Sequence, residues 1–323
     1  ELVEGLPFLL ALFPRRRAGG GLSASYASDK LSPNGEKMKI ATFNINGIKA
    51  RLPRLLEWLD ETRPAVACLQ EIKTQDEGFP SADFEALGYS AIWHGQKSFN
   101  GVAILVDTRA GYTLTEVQRG LGIPGPNEGD AEQARYLEAD VSGVRIACLY
   151  LPNGNPHPGP KFTYKLAWME NLRARMAEIW AEEVPAVVLG DFNVIPEDDD
   201  VWSVKAMAGD ALMQPESRAA YARFLTDGWT DALRTHNPRG GVWTYWDYQA
   251  GAWQRDHGFR IDHALLSPEL ADRLKASRLD VPLPQACCST TIELRGELDV
   301  SHAWAQKDAE AIVAWLQHQG VVV

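Results

Sequence analysis

The sequence predicts an α/β fold in which strands and helices alternate along one large domain, and two observations support this class. Short runs of apolar, mostly β-branched residues recur along the chain and are typical of buried strands. Between several of these runs, apolar residues recur at helical spacing. Elements that alternate in this way pack as layers, so we expect a sheet sandwich with helices outside.

The regular pattern begins at Met38. Residues 39–43 and 65–69 are predicted to be strands, and four leucines at helical spacing between them predict a helix (Leu52, Leu55, Leu56 and Leu59). Further strands are predicted at residues 102–106, 145–150, 186–189 and 261–266. Residues 162–180 are predicted to form a long helix with one apolar stripe.

Both ends of the chain differ from this pattern. Residues 1–37 combine an arginine triplet, a glycine triplet and a serine-rich stretch, which predicts a disordered or non-native extension. We expect the natural start at Met38, one domain over residues 38–285, and an atypical C-terminal segment over residues 286–323 whose last part is helical.

Composition excludes several classes of protein. With 45% hydrophobic and 23% charged residues, the chain is neither disordered nor a coiled coil. A net charge of −11 argues against coating nucleic acid by bulk electrostatics, although it leaves local binding open. Apolar runs are far shorter than the roughly 20 residues of a membrane span, so no membrane partner is expected. Four cysteines without metal-finger spacing favour a reducing compartment, and we expect a cytoplasmic protein.

Polar residues follow the predicted strands at their ends. These residues are Asn44, Asn46, Gln70, Glu71, Tyr150, Asp191, Asn193 and Asp262. Acids and amides gathered at one rim imply a bound cation or a shared hydrogen-bond network, because a lone buried carboxylate is costly. Oxygen ligands without thiolates suit Mg²⁺ or Mn²⁺. Gly190, directly before Asp191, would allow a tight turn and the close approach of a ligand.

Six motifs, in this order and spacing, resemble the exonuclease III family of abasic-site endonucleases. They are Phe43-Asn44-Ile45-Asn46-Gly47-Ile48, Leu69-Gln70-Glu71-Ile72-Lys73, His94-Gly95-Gln96-Lys97, Tyr150-Leu151-Pro152-Asn153-Gly154, Gly190-Asp191-Phe192-Asn193 and Arg260-Ile261-Asp262. The resemblance covers residues 38–280. It implies a deoxyribonuclease I-like, four-layer α/β sandwich of two packed mixed β-sheets flanked by helices.

The resemblance also implies roles for individual residues. Metal binding is implied for Asn44, Glu71, Asp191 and Asn193, with Mg²⁺ as the cofactor and Mn²⁺ as a substitute. Asp191 would orient or deprotonate the attacking water, and Asn193 would donate a hydrogen bond to the scissile phosphate. Tyr150 would sit against that phosphate or supply a phenolate. Asp262 would orient a catalytic histidine.

DNA contacts are expected next to the same rim. The candidates are Lys49, Arg51, Lys97, Asn100 and Asn153, together with Trp246 at the pocket for the base-less sugar. The implied partner is double-stranded DNA with abasic sites or 3′ ends, bound by a monomer that associates with the bacterial nucleoid through DNA.

The C-terminus departs from the family pattern. Members finish with Ser-Asp-His-x-Pro, and its histidine contacts the phosphate, whereas the nearest histidine here is His302, which follows Asp299 at a different spacing. His302 is the candidate catalytic imidazole. His263 follows Asp262 directly, and because neighbouring strand residues face opposite sides, we expect it to point away from the site.

Three functions remain open on the sequence alone. The first is a Mg²⁺-dependent phosphodiesterase of base excision repair that cleaves 5′ to abasic sites and trims 3′ ends as an exonuclease. The second is a catalytically impaired homologue that binds damaged DNA. The third is a superfamily relative that acts on phosphoinositides, sphingomyelin or unmodified DNA.

Overall fold

The computed structural model describes residues 8–12, 38–247, 252 and 254–279. The strands of this part of the chain are β1 (Phe8–Leu12), β2 (Met38–Asn44), β3 (Val66–Gln70), β4 (Tyr89–His94), β5 (Val102–Asp107), β6 (Leu114–Arg119), β7 (Tyr136–Val141), β8 (Val144–Tyr150), β9 (Ala186–Asp191), β10 (Thr230–Asp231), β11 (Tyr245–Trp246), β12 (Gly258–Phe259), β13 (Asp262–Leu266) and β14 (Leu274–Leu279). The α-helices are α1 (Ile48–Thr62), α2 (Ser81–Ala86), α3 (Pro160–Ala181), α4 (Val204–Met207), α5 (Pro215–Thr226), α6 (Ala232–His236) and α7 (Pro268–Ala271).

These strands form two mixed sheets. The first has the order β14-β1-β2-β3-β5-β4 and the second has the order β10-β13-β9-β8-β7-β6. One parallel pair lies inside each sheet, β2 with β3 and β8 with β9, and the helices α1 and α3 make the two crossovers. Strands β11 and β12 form a separate small ribbon. The predicted class of two packed mixed sheets is confirmed.

Apolar residues divide into layers as that class requires. One buried cluster joins the facing sides of the two sheets, with Val66 and Ile104 from the first sheet and Ile146 and Val187 from the second. A second cluster joins the outer face of the second sheet to α3 and α5. A third packs α1 and α2 on the outer face of the first sheet. The central strands β3 and β9, one from each parallel pair, are therefore buried on both faces, which explains their unbroken apolar sequence.

The predicted elements recur with small shifts of their ends. All six predicted strands and the long helix are present, and α1 buries Leu55 and Leu59 of the predicted leucine stripe. Strands β4, β6 and β7 were not predicted. Most side chains of β6 are exposed, so its sequence lacks the apolar run that indicates a buried strand.

The N-terminal segment departs from the prediction at Phe8–Leu12. These five residues form β1, which pairs antiparallel with β2 on one side and with β14 on the other. Hydrogen-bonded pairing along both edges gives the segment an ordered position that its own composition does not predict. The remainder of residues 1–37 and the segment 286–323, including His302, lie outside the described residues. No helix of the described chain is long and apolar enough to cross a membrane.

Candidate active site

The candidate site forms where strand ends of the two sheets meet. Asn44 ends β2, and Glu71 follows β3, which is its parallel neighbour in the first sheet. Tyr150 and Asp191 are register partners at the ends of β8 and β9 in the second sheet. Asp262 begins β13, which runs antiparallel to β9 and pairs it with Asp191. The sheet topology thus gathers residues that are far apart in sequence.

Two residues of the candidate site, Glu71 and Asn193, have left-handed backbone conformations. Glu71 has a φ of 52° and Asn193 a φ of 48°. Their conformations are fixed by hydrogen bonds, since Gly47 N donates to Glu71 O at 2.7 Å and Asn193 N donates to Asp191 Oδ1 at 2.9 Å. A residue held in this sparsely populated region costs about 1–3 kcal/mol, and such residues cluster at functional sites.

The Asn44 amide links the carboxylates of the two sheets. Its Nδ2 donates to Glu71 Oε1 and to Asp191 Oδ2, each at 3.0 Å. Lys73 Nζ lies 2.9 Å from Glu71 Oε2, and the Tyr150 hydroxyl donates a hydrogen bond to the same carboxylate. Glu71 is therefore ionised and fixed from three directions.

The acids of the site differ in their affinity for protons. Burial raises the pKa of Asp191 to about 7, and the nearby charge of Glu71 adds to this effect while the Asn44 hydrogen bond opposes it. Burial also raises the pKa of Asp262 well above its usual range, and the charge of Asp191 adds to it. Burial acts in the same direction on Glu71, but the hydrogen bonds from Asn44 and Lys73 outweigh it and lower its pKa.

Tyr150 retains its proton in this environment. Burial is the main cause that raises the pKa of its phenol well above 10, and the charges of Glu71 and Asp191 act in the same direction. The Arg135 guanidinium over its ring, 4.7 Å from the centroid, only partly opposes the shift. The phenol is therefore a hydrogen-bond donor at neutral pH.

The donor chemistry of the site fits a hard divalent cation. Glu71 and Asp191 supply carboxylate oxygens, and the amides of Asn44 and Asn193 lie beside them. In the described part of the chain no group of three or more acidic, histidine or cysteine side chains could hold a metal, so a cation here would use two carboxylates together with amide oxygens and water. Asp262 Oδ1 is buried there without a hydrogen-bond partner.

A cavity of about 570 Å³ opens beside these groups. Its lining includes a polar wall of Asn44, Glu71, Tyr150, Asn153, Asp191 and Asn193, together with the charged residues Asp210, Asp247 and Arg255. It also includes an apolar wall of Tyr245, Phe259 and Ile261, which pack in one cluster, and the residues Trp202, Met207, Leu212, Ala252 and His257. Six residues predicted as site residues therefore share one cavity.

Trp246, which is predicted to lie at the sugar pocket, is not among the described residues that line this cavity. The described residues that line the cavity include Tyr245, whereas the indole of Trp246 donates to Asp256 Oδ1 at 3.1 Å. Phe259 was missed, although its place two residues before Ile261 puts both side chains on one side of an extended strand. Trp202 and His257 were also missed, because no motif distinguishes them in the sequence.

The predicted DNA-contact residues occupy different environments. Asn153 lines the cavity, and its amide donates to Asn193 Oδ1 at 3.2 Å. Lys97 is exposed, whereas Asn100 is buried and its amide donates to Gln96 Oε1 at 3.0 Å. Lys49 and Arg51 lie at the start of α1, where Arg51 Nη1 donates to Asn46 O at 2.8 Å.

The expectation for His263 is confirmed. It is fully buried on the other face of β13, where Nε2 donates to Val194 O and Nδ1 accepts from Arg260 Nη1, each at 2.9 Å. Arg260 itself forms a buried ion pair with Asp200 at 2.6 Å and another with Asp231 at 2.7 Å.

The reason for glycine at position 190 differs from the predicted one. Its φ is 143°, and a Cβ there would lie 2.0 Å from the Leu149 carbonyl oxygen. The close neighbour is therefore the backbone of strand β8. Glycine lets the parallel strands that carry Tyr150 and Asp191 approach each other.

Known proteins are similar to this chain in sequence and in fold. The chain matches the model of the Endonuclease/Exonuclease/phosphatase family over residues 41–285. Exodeoxyribonuclease III of Haemophilus influenzae is 32% identical in an alignment of 251 positions that covers 73% of this chain and 90% of that protein.

Two solved structures are similar as well. An AP endonuclease from Archaeoglobus fulgidus has a TM-score of 0.66 and 35% identity over 72% of this chain and 88% of its own. A 3′ phosphatase from Neisseria bound to a product DNA hairpin has a TM-score of 0.67 and 34% identity over 74% of this chain and 90% of its own. Members of this family are divalent-metal-dependent nucleases. The chain therefore belongs to the endonuclease/exonuclease/phosphatase family, in its exonuclease III branch of AP endonucleases, and is a DNA repair nuclease that hydrolyses phosphodiester bonds.

Proposed function

We propose that the chain is a Mg²⁺-dependent enzyme of base excision repair that cleaves duplex DNA 5′ to abasic sites and trims 3′ ends. The observation that carries this proposal is the cavity whose lining combines the polar wall with the apolar wall. A sugar that has lost its base is compact and lies beside its phosphate. A cavity lined by both kinds of residue suits that combination.

The apolar wall supports selection for the missing base. Tyr245 and Phe259 pack against each other with ring centroids 5.0 Å apart, and Ile261 extends the same surface. An intact nucleotide would have to bring its base into this wall. The wall therefore supports a preference for a base-less sugar over a normal nucleotide.

The polar wall supports hydrolysis of the neighbouring phosphodiester. When bound by Glu71 and Asp191, with Asn44 and Asn193 beside them, the cation supplies positive charge that stabilises the transition state. Without the cation, burial raises the pKa of Asp191 to about 7; with the cation bound, its carboxylate would be ionised and would orient the attacking water. When DNA binds, the Tyr150 phenol would turn its proton from Glu71 to a phosphate oxygen, and the Asn193 amide lies beside it. Each of these groups is held before substrate arrives.

A catalytically impaired homologue is the second candidate. The observation that favours it is Asp262, whose buried Oδ1 has no hydrogen-bond partner among the described residues and which would otherwise orient a histidine. The candidate imidazole, His302, lies outside the described residues. In this alternative the chain binds abasic DNA without turnover.

One experiment separates these functions. The purified full chain is incubated with a duplex that carries one abasic analogue, in Mg²⁺ and in EDTA, and the products are resolved by length. We expect cleavage 5′ to the analogue in Mg²⁺ only, and its loss in Glu71→Gln, which keeps the size of the side chain but removes the charge. A His302→Gln variant tests whether that imidazole takes part.

The outcomes assign the function as follows. Tight binding without cleavage supports the impaired homologue. Cleavage in EDTA, or in Glu71→Gln at the wild-type rate, contradicts the metal-dependent mechanism. Faster hydrolysis of a lipid phosphate than of DNA would contradict the proposed substrate.

A further inference from the structure

Two stacked rings form part of the cavity rim outside the residues that the proposed chemistry uses. Trp202 follows β9 by a long loop and His257 precedes β12, and their rings lie 3.7 Å apart between centroids with an interplanar angle of 1°. Both line the cavity that holds Asp191 and Tyr150. Trp202 is 38% exposed, so this large aromatic side chain is only partly covered by the protein.

The backbone around the pair holds the rings in place. Trp202 N donates to Gly258 O at 3.0 Å, and Val201 forms a β-bridge with Phe259, which belongs to the apolar wall. His257 N donates to Ala252 O at 2.8 Å. The pair is therefore ordered before any ligand binds, which lowers the entropy cost of stacking a further ring on it.

The chemistry of this rim fits a nucleobase. A flat, partly exposed indole offers a π-face on which any of the four bases can stack, independent of sequence. Arg255 lines the same cavity and offers a cation to a phosphate, but Asp210 and Asp247 in the same lining carry negative charge, so it is the stacked rings and not the net charge that favour a base. Because the cavity holds the sugar and the polar wall holds its phosphate, the nearest base belongs to an adjacent nucleotide.

We infer that the Trp202–His257 stack is a platform for the nucleobase next to the abasic nucleotide in the DNA strand that is cut. This inference rests on the proposed function and adds a substrate contact to it. The enzyme then recognises the missing base by the apolar wall and the neighbouring base by the platform. The inference predicts that DNA lacking the neighbouring base as well as the base at the abasic site binds less well than DNA with a single abasic site.

A spectroscopic test measures the stacking directly. Duplexes carry an abasic analogue with 2-aminopurine as the 5′ or the 3′ neighbour, and fluorescence is recorded in EDTA. We expect the wild-type chain to quench 2-aminopurine in one of the two duplexes and Trp202→Leu to abolish that quenching. Trp180→Leu is the matched control, because Trp180 is also 38% exposed but lies on α3 and packs against Trp229. Thermal melting checks that each variant is folded.

A kinetic cycle tests the same contact by another route. Replacing the neighbouring base by a second abasic analogue should raise the wild-type KM about tenfold, which corresponds to the loss of one stacked base. Trp202→Leu should show this higher KM on both substrates with kcat nearly unchanged, whereas Trp202→Phe should keep the difference between the two substrates. A merely structural role for Trp202 would lower activity on both substrates without removing that difference.

The outcomes distinguish this inference from the proposed function. Quenching that persists in Trp202→Leu, or an undiminished effect of the second analogue in that variant, would overturn the platform while cleavage of the abasic duplex stands. Quenching without cleavage in Mg²⁺ would support the platform and contradict the proposed activity. If the wild-type chain does not bind the abasic duplex, both are overturned.

Discussion

Removing the charge of Asp191 should change how the stability of the metal-free protein depends on pH. The pKa of this carboxyl is about 7 in the folded protein, against 3.8 as its ordinary value, mainly because the side chain is buried. The folded state thus binds the proton more tightly than the unfolded state. The stability that this proton contributes is complete below about pH 4 and is lost as the pH rises towards about 7.

The size of the effect follows from the two pKa values. Linkage predicts that Asp191 alone lowers the free energy of unfolding by about 2–3 kcal/mol between about pH 5 and pH 8. His263 acts in the opposite direction, since burial lowers its pKa to about 4 and stability rises as its unfolded-state proton is lost. The contribution of His263 is common to the wild type and Asp191→Asn, so it cancels in their difference. The part of the raised pKa of Asp262 that the Asp191 charge causes is lost in the variant and is included in that difference.

The assay is urea unfolding of both proteins in EDTA at the two pH values. We expect the wild type to lose about 2–3 kcal/mol more than Asp191→Asn on the change to the higher pH. Mg²⁺ should reduce the loss in the wild type, because a cation favours the ionised carboxylate, and should have little effect in the variant. Equal pH dependence of the two proteins in EDTA would refute the assignment of a raised pKa to Asp191.

Three further predictions test the support of the site. Arg260→Met should lower the free energy of unfolding by about 3–5 kcal/mol in urea titrations, because it leaves Asp231 with neutral hydrogen-bond donors only and Asp200 with Arg234 as its remaining cation. A loss below about 1 kcal/mol would contradict a structural role for these pairs. Lys165→Met should lower kcat about 10- to 100-fold, with partial recovery in Lys165→Arg. The reason is that the buried ammonium donates to the carbonyl oxygens of Asn153 at 3.0 Å and Asn193 at 2.5 Å. An unchanged steady-state kcat on the abasic duplex would exclude a role for Lys165 in positioning these two asparagines. Gly190→Ala should lower the free energy of unfolding by more than about 4 kcal/mol, since the new methyl group meets the Leu149 backbone. A soluble variant with the wild-type melting temperature would show instead that strands β8 and β9 can move apart to accept the methyl group.

The strands that the sequence predicted are those that the fold buries on both faces. Strands β3, β5 and β9 are buried along their whole length and consist of unbroken apolar runs up to their ends. Strand β6 is mostly exposed, and β1 depends on pairing with β2 and β14, which lie far from it in sequence. The composition of a segment indicates whether a strand is buried. It does not indicate which distant strand a short segment will pair with.

The residues of the candidate site also fall into those that the sequence could predict and those that it could not. Glu71, Tyr150 and Asp191 could be predicted because each follows an apolar strand inside a motif of known family order. Trp202, Tyr245 and His257 come from loops with no such marker, and only their packing around one cavity gives them a shared role. Lys165 lies in a helix predicted from its apolar stripe, where a lysine would be expected to face solvent, yet it is fully buried behind the site.

By itself, the sequence determined the layered α/β class, the family and the polar residues of the candidate site. Periodic burial and the ends of strands leave local signals, and these signals survive in a linear chain. Only the tertiary structure decided the pKa of Asp191, the apolar wall in the same cavity and the stacked rings in its lining. Burial, proximity of charges and cavity shape depend on which distant segments pack together, and no local pattern of residues specifies that.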